Sequence, residues 1–474
     1  MSRAIHPNRQ QMFLLPPSLD DWVPAGHPVR FVRDLIDSID LASLGIHEKP
    51  GDEGRPHYAP QMLLGVWVYG YMERIRSSRQ LERACVRDIA FRWLTGNHQP
   101  DHNTLWRFFK AHKLAIRELF KRVVRVASDA GLVGFVLHAV DGTKIAAASS
   151  MDTAHHRKAL EGALRKLDTV IATHLSETEA EERRGEGTYD LPAELQDPEK
   201  RKAAIREALA RLDEAKTNHL HPAEPEARVM KGRGGKVLGY NAQAVADRDS
   251  DLIVATDVVN AASDNAQLVP MLDETQKTTG RVAETTVADA GYDSGKQFEE
   301  AERRKLPVVV ATATAERGAD EFHKSKFQYD AERDVYICPR GEVLPFQRID
   351  KASENDKKYD RRVYRCHNRE CPVRSQCTSD KKGRAIKQSP YDEAYARQLE
   401  RNAKPQSRML LSKRKAIIEH HFAIAKSIDG FRRFTMRGLE AAKAQWALVC
   451  AAINLRKLHA RWLDGSLTLR ARPA

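Results

Sequence analysis

The hydrophobic repeat of this chain changes its period at Gly134. From Val29 to about Leu132 apolar residues recur at helical spacing; from Gly134 the run FVLHAV has the length and the β-branched, aromatic character of a strand, and it ends at Asp141. The two periods belong to different backbone geometries, so the chain must build an all-helical unit first and a sheet-containing unit after it. In the helical part, FVRDLIDSIDLASL puts Phe31, Leu35, Ile36 and Ile39 on one face, a helix opens near Pro60, and SRQLERACVRDIAFRWL reads as another helix. After the break TGNHQP comes DHNTLWRFFKAH, with Asp101 as its cap. Leu105, Phe108, Phe109 and His112 would face the core, and Asn103, Arg107 and Lys110 the opposite side. That pair resembles a helix-turn-helix, although two helices joined by a polar turn are also an ordinary part of a bundle.

Beyond the switch, residues 155–218 are charged and helical, with KALEGALRKLDTVIATHL and KRKAAIREALARLDEA flanking a polar break at Gly185 to Pro192, as in an inserted helical hairpin. KVLGYNAQAVAD and DLIVATDVV alternate apolar and polar residues around a turn, as a β-hairpin does. A helix from Asp264 to about Thr278, the strand TTVA ending at Asp289, a helix from Ser294 to Arg304 and the strand PVVVAT follow. This is the order of an α/β domain with helices on a central sheet. Residues 313–400 are rich in charge and turns and promise little core of their own, and long helices from Met409 to about Leu463 close the core, burying Trp446, Leu448, Val449, Ala452 and Leu455. The expected organisation is a helical DNA-binding domain over 1–132, a sheet domain over 133–151 and 228–312, insertions at 152–227 and 313–400, closing helices over 401–464 and a tail from 465.

A length of 474 residues gives room for two or three such units. The formal charge of +13, with 30% of residues charged and both signs present, describes basic faces on a folded protein, for which nucleic acid is the natural partner. No run of about 18 apolar residues or signal-peptide layout occurs, so a cytoplasmic protein without membrane association is expected.

Asp141 and Asp289 each stand at the end of an expected strand and Glu419 within a late helix. Singly, each has an ordinary structural explanation. Together, neighbouring strand ends lie at one edge of a sheet, and a helix packed across that edge adds a third carboxylate. Three such groups suit two Mg²⁺ ions, hard cations that also bind substrate phosphate. Two ions about 4 Å apart assist in-line displacement at phosphorus.

The segments AVDGTKIAAASS, VADAGYDSG and IIEHHFAIAKSIDGFRRFTMRGLE closely resemble the three catalytic motifs of bacterial insertion-sequence DDE transposases. LPPSLDDWVPAGHPVRFV and YAPQMLLGVWVYGYMERIRSSRQLERACVRDIAFRWL resemble the helical N-terminal domain of that family, and ARVMKGRGGKVLGYNAQAVAD its stretch before the second aspartate. The resemblance implies an RNase H-like core and Asp141, Asp289 and Glu419 as ligands of two Mg²⁺ or Mn²⁺ ions, with Lys426 as a DNA contact. It also implies double-stranded DNA partners, namely element terminal inverted repeats and target, and a homodimer on DNA. Many relatives carry tyrosine and arginine seven and four positions before the glutamate, where this chain has Ser412 and Lys415. Lys415 keeps the charge but not the fork of arginine.

Apart from any family, residues 401–440 hold ten Lys or Arg, Lys415, Lys426, Arg432, Arg433 and Arg437 among them, against Glu419, Asp429 and Glu440. A basic strip around candidate metal carboxylates points to phosphate contact. Lys144 is a further candidate contact, and Asp293 is either a water-mediated metal neighbour or a helix cap. Cys338, Cys366, Cys371 and Cys377 crowd into one stretch and form a candidate structural Zn²⁺ site, with His367 or His323 as substitutes. The spacing lacks a tight C-x2-C knuckle, so reduced cysteines stay open as the alternative. The reading is a transposase that cleaves and joins DNA; a metal-dependent nuclease that does not join and an inactive DNA-binding regulator are the alternatives.

Overall fold

The computed structural model describes residues 18–47, 57–151, 154–182, 198–214, 217–232, 235–312, 321–352 and 359–469. The helical part comprises α1 (Pro28–Asp37), α2 (Pro60–Met72), α3 (Ser78–Arg87), α4 (Ile89–Leu94), α5 (His102–Ala111) and α6 (Lys113–Asp129). Phe31, Leu35, Ile36 and Ile39 are buried as their spacing requires. The expected single helix SRQLERACVRDIAFRWL is broken in two at Asp88. Its backbone is extended and its carboxylate accepts the Ala90 and Phe91 amides, which starts α4 afresh.

Next come β1 (Leu137–Ala146), β2 (His155–His156), α7 (Arg157–Glu182), α8 (Pro198–Glu214), β3 (His219–Leu220), β4 (Arg228–Gly232), β5 (Gly235–Asp247), β6 (Ile253–Val259), α9 (Leu268–Thr279), β7 (Thr285–Ala288), α10 (Gly295–Arg303) and β8 (Val308–Val310). The main sheet runs β4-β5-β1-β7-β8, and β6 also pairs with β5. β5 is antiparallel to β1, β4 and β6, whereas β1, β7 and β8 are mutually parallel. β1 does not end at Asp141. It continues to Ala146 because β5 pairs with it throughout, Asp141 opposite Ala244, while its parallel pairing with β7 stops at Val140 opposite Ala288. The β2–β3 pair closes the base of the α7–α8 hairpin, whose expected polar break at 185–192 lies outside the described residues. So do residues 313–320 and 470–474.

The cysteine-bearing segment has more structure than its composition promises. β9 (Gln328–Asp330), β10 (Val335–Ile337), β11 (Val343–Asp350), β12 (Arg361–Arg365) and β13 (Ala385–Gln388) form a second antiparallel sheet, with the short α11 (Arg374–Cys377) beside it. Phe322, Phe327, Tyr336, Leu344, Tyr364 and Ile386 make a separate core there. A few aromatics suffice because each buries a large area.

α12 (Asp392–Ala403), α13 (Pro405–Ala423), a π-helical turn (Ile424–Ile428) and α14 (Leu439–Leu463) complete the chain. α12 falls in the stretch that composition groups with the cysteine segment, yet it is fastened to the main sheet: Arg401 and Asn402 donate to the Val308 and Val310 carbonyls. α14 is buried along most of its length between the sheet and the N-terminal helices. Trp446 Nε1 donates to Gln243 O at 2.9 Å, and Asn454 exchanges hydrogen bonds with the Ile253 backbone. One continuous apolar core therefore runs from Val23 through α6 and the sheet to Leu467. Among the described residues no helix is long and apolar enough to cross a membrane.

Candidate active site

The parallel register of β1 and β7 is what brings the two aspartates together. Val140 lies opposite Ala288, so the next residues, Asp141 within β1 and Asp289 just past the end of β7, come side by side where the parallel pairing stops. Asp289 caps the short turn Ala290–Tyr292, its carboxylate accepting the Gly291 amide at 2.8 Å. Asp141 accepts the Gly142 amide at 2.7 Å. Burial and the negative charge of Asp289 push the Asp141 carboxyl up to about 6, against the pull of Arg414.

Glu419 arrives on α13, and between it and Asp141 lies a guanidinium. Arg414 donates to Asp141 Oδ2 at 2.8 Å and to Glu419 Oε1 at 3.2 Å. Arg414 is only 8% exposed, so its charge is spent on these carboxylates and little on solvent. Lys415, at the place where relatives carry arginine, is exposed. The guanidinium of this site is thus supplied one residue earlier, a shift the motif spacing does not reveal.

Beneath the aspartates lies a polar network that sequence reasoning missed. Asp264, in the loop before α9, accepts from Asn241 at 2.6 Å, Gln243 at 2.7 Å and Lys144 Nζ at 3.2 Å. The side-chain oxygen of Gln243, Oε1, accepts from the hydroxyl of the fully buried Tyr292. Gly142 explains itself here: a Cβ on it would lie 2.2 Å from Gln243 Nε2 and 2.6 Å from Asp264 Oδ1. One signal was available in the sequence. Asn241 and Gln243 alternate on one face of a strand otherwise rich in Ala and Val, and buried polar groups at that period need partners.

The other expected residues divide. Lys426, in the π turn, donates to Thr143 Oγ1 at 2.5 Å and to the Lys144 carbonyl at 2.8 Å, locking the helix end onto β1. Lys144 is held by Asp264. Arg432, Arg433 and Arg437 are exposed, Arg433 also donating to the Ala147 and Ser149 carbonyls. Asp293 does not cap α10, whose N-cap is Ser294; it accepts the Tyr395 hydroxyl at 2.9 Å. On α5, Leu105, Phe108 and Phe109 are buried while Asn103, Trp106, Arg107 and Lys110 are exposed, the Lys110 ammonium lying 5.0 Å over the Trp106 ring. Asp101 caps this helix as expected.

Cys338, Cys366 and Cys377 pack against the small second core, with Cys371 just before α11. Burial raises the Cys366 and Cys377 thiols, and the neighbouring cysteines add to it, which marks the four as one electrostatic group. The backbone amides of Arg340 and Glu342 both point at Cys338 Sγ, at 3.3 Å. His323 instead caps the turn Lys324–Lys326, and His367 is exposed. Among the described residues, the group of three whose ligand atoms all lie within 4.8 Å of one another is Asp251, His420 and His421, and neither the four thiols nor the three carboxylates converge so closely.

The residues present fit divalent cations. The donor set at the sheet edge is all carboxylate oxygen, and the charge its repulsion calls for is already supplied by Arg414 as a stand-in. A family model described as a transposase domain matches residues 17–111, and one described as a transposase DDE domain matches residues 337–459, which include the cysteines and Glu419. No curated protein matches the chain. Matched at its N-terminal helices and again across its C-terminal part, the chain belongs to the DDE-type transposases of the insertion-sequence families, enzymes that process nucleic acid.

Proposed function

We propose that the chain binds the ends of its insertion sequence and both cleaves and joins DNA at an RNase H-like core, with Asp141, Asp289 and Glu419 holding two Mg²⁺ or Mn²⁺ ions. The observation that carries this reading is one buried guanidinium, Arg414, shared by Asp141 and Glu419, with Asp289 near enough to Asp141 for its charge to raise that carboxyl. The sheet, with β5 alone reversed among β6-β5-β1-β7-β8, supports the RNase H-like assignment. When bound, the ions supply charge neutralisation and activation of the attacking oxygen at phosphorus. Arg414, released from the carboxylates, offers its fork to a phosphate oxygen. Lys426 holds β1 against the π turn and so keeps Asp141 and the Glu419 helix in one frame, leaving Lys415, Arg432, Arg433 and Arg437 to the DNA backbone. The exposed stripe of α5, with Arg107 and Lys110, takes a second stretch of duplex.

The chemistry is two exchanges of one P–O bond for another. Water frees a 3′-hydroxyl at the element end, and that hydroxyl then attacks target DNA. Because two ends must be paired, a homodimer on DNA is part of the proposal. The four cysteines, with two amides already turned toward Cys338, draw together round one structural Zn²⁺ that reinforces the small second core. A labelled-end strand-transfer assay tests the function: joined product supports the transposase, cleaved ends without joining mean a nuclease, and binding without cleavage means a regulator.

A further inference from the structure

At the turn between β5 and β6, on the side of α13 next to Glu419, Asp251 faces two consecutive histidines. Its Oδ1 lies 2.6 Å from His420 Nε2 and 3.1 Å from His421 Nε2. Its Oδ2 lies 2.5 Å from Lys457 Nζ on α14. The turn holds Asp251 in the left-handed region, at φ +56°, a conformation uncommon for a non-glycine residue and one that aims its carboxylate at α13.

Two features of the histidines go beyond an ordinary ion pair. His421 is 1% exposed; its Nδ1 makes no hydrogen bond, and its Nε2 has the Asp251 carboxylate alone, at 3.1 Å. An imidazole buried with so little pairing is costly, and such groups ask for a ligand. His420 Nδ1 lies 3.0 Å from the Ala416 carbonyl, which accepts only, so this nitrogen carries the hydrogen. In the neutral ring the remaining nitrogen, Nε2, then faces a carboxylate oxygen with its lone pair, an arrangement that either a second proton or a cation between them satisfies.

We propose that Asp251, His420 and His421 form a second metal site, for a zinc-class divalent ion, separate from the carboxylates at the sheet edge. Two imidazoles and one carboxylate are a donor set zinc favours, leaving a fourth position for water. The ligand atoms all lie within 4.8 Å of one another. Bonds of about 2.0–2.2 Å set tetrahedral neighbours ~3.4 Å apart, so only small side-chain shifts are needed. The outer contacts are those of a metal site: the Ala416 carbonyl fixes the His420 ring and Lys457 holds the outer oxygen of Asp251. The ion would fasten α13 to the β5–β6 turn one residue past Glu419, fixing the rotation of the helix that presents it.

The test uses the full chain, stripped with EDTA and titrated with Co²⁺, then reloaded with Zn²⁺ and analysed by mass spectrometry for metal content. A nitrogen-oxygen site gives Co²⁺ ligand-field bands without the sulfur charge-transfer band of thiolates, which separates it from the cysteines. The expected result is one such equivalent in the wild type and in Asp141→Asn, and binding at least a hundredfold weaker in His421→Asn. His420→Gln, at a half-exposed position that does not threaten folding, should weaken it comparably. Absence of a nitrogen-oxygen Co²⁺ spectrum in the wild type, or its persistence in both histidine variants, would overturn the site and leave a Lys457-supported ion pair.

Discussion

Replacing Arg414 by methionine keeps the volume of the stem and removes the charge that holds Asp141 and Glu419 together. Taking one partner from a buried ion pair costs about 3–5 kcal/mol. Solvent screens part of that here, since the side chains of Asp141 and Glu419 are 15% and 41% exposed. About 2 kcal/mol remains, a drop of roughly 4 °C in Tm at ~2 °C per kcal/mol for a large domain. The sign reverses for metal binding. In the wild type an incoming ion must displace the guanidinium, whereas in Arg414→Met it meets free carboxylates, so Mn²⁺ should bind tighter by the same amount, roughly 30-fold. Calorimetric unfolding with and without Mg²⁺, together with Mn²⁺ titration followed by electron paramagnetic resonance, measures both. The stability gap should close when the ion is saturating, while cleavage falls because the phosphate contact is lost. An equal gap at all metal concentrations, or weaker Mn²⁺ binding in the variant, would refute the stand-in role of Arg414.

Three further outcomes are expected. Cys371→Ser should lose one equivalent of thiolate-bound zinc, measured by metal content and Co²⁺ charge-transfer absorption; equal content in variant and wild type would dismiss the cysteine site. Arg107→Ala with Lys110→Ala should weaken duplex binding and flatten its salt dependence by roughly one per lost contact, whereas an unchanged slope means that α5 only packs. Burial works against the Asp247 carboxylate, but His138, Ser250 and Gly134 together hold it below the usual range. The stability it adds is therefore full above the unfolded value of about 3.9 and drains away as pH falls below it. The difference in denaturant stability between wild type and Asp247→Asn should be flat from neutral pH to about 5 and shrink in more acidic buffer, and a difference independent of pH would contradict this.

The elements that set the site were legible where one period dominated. The strand ending just before Asp289, the burial of Leu105, Phe108 and Phe109 on α5 and the apolar residues of α14 all follow from spacing, and the structure places them as spacing requires, although His112, expected beside them, is only half-buried. The continuation of β1 past Asp141 was not legible, because the five residues beyond it owe their extension to pairing with β5, a long-range partner. The same holds for Asp264, whose loop position carries no signal until Asn241, Gln243 and Lys144 converge on it. Arg414 was hidden by the reliance on a fixed offset: Lys415 occupies the family position, but the helix turns its neighbour inward. The small core of the cysteine segment escaped because six large residues spread over 65 positions leave no periodic trace.

In the proposed function Asp141, Asp289 and Glu419 perform one metal-dependent reaction on DNA. The most direct measurement is cleavage of a labelled duplex carrying the element's ends by wild type, Asp289→Asn and Glu419→Gln, with binding of the same duplex followed in parallel. Both substitutions should abolish cleavage while leaving binding close to wild type, since affinity comes from the basic residues, and EDTA should silence the wild type. Cleavage near the wild-type rate in either variant, or activity that survives the chelator, would exclude these carboxylates as the metal-binding catalytic set.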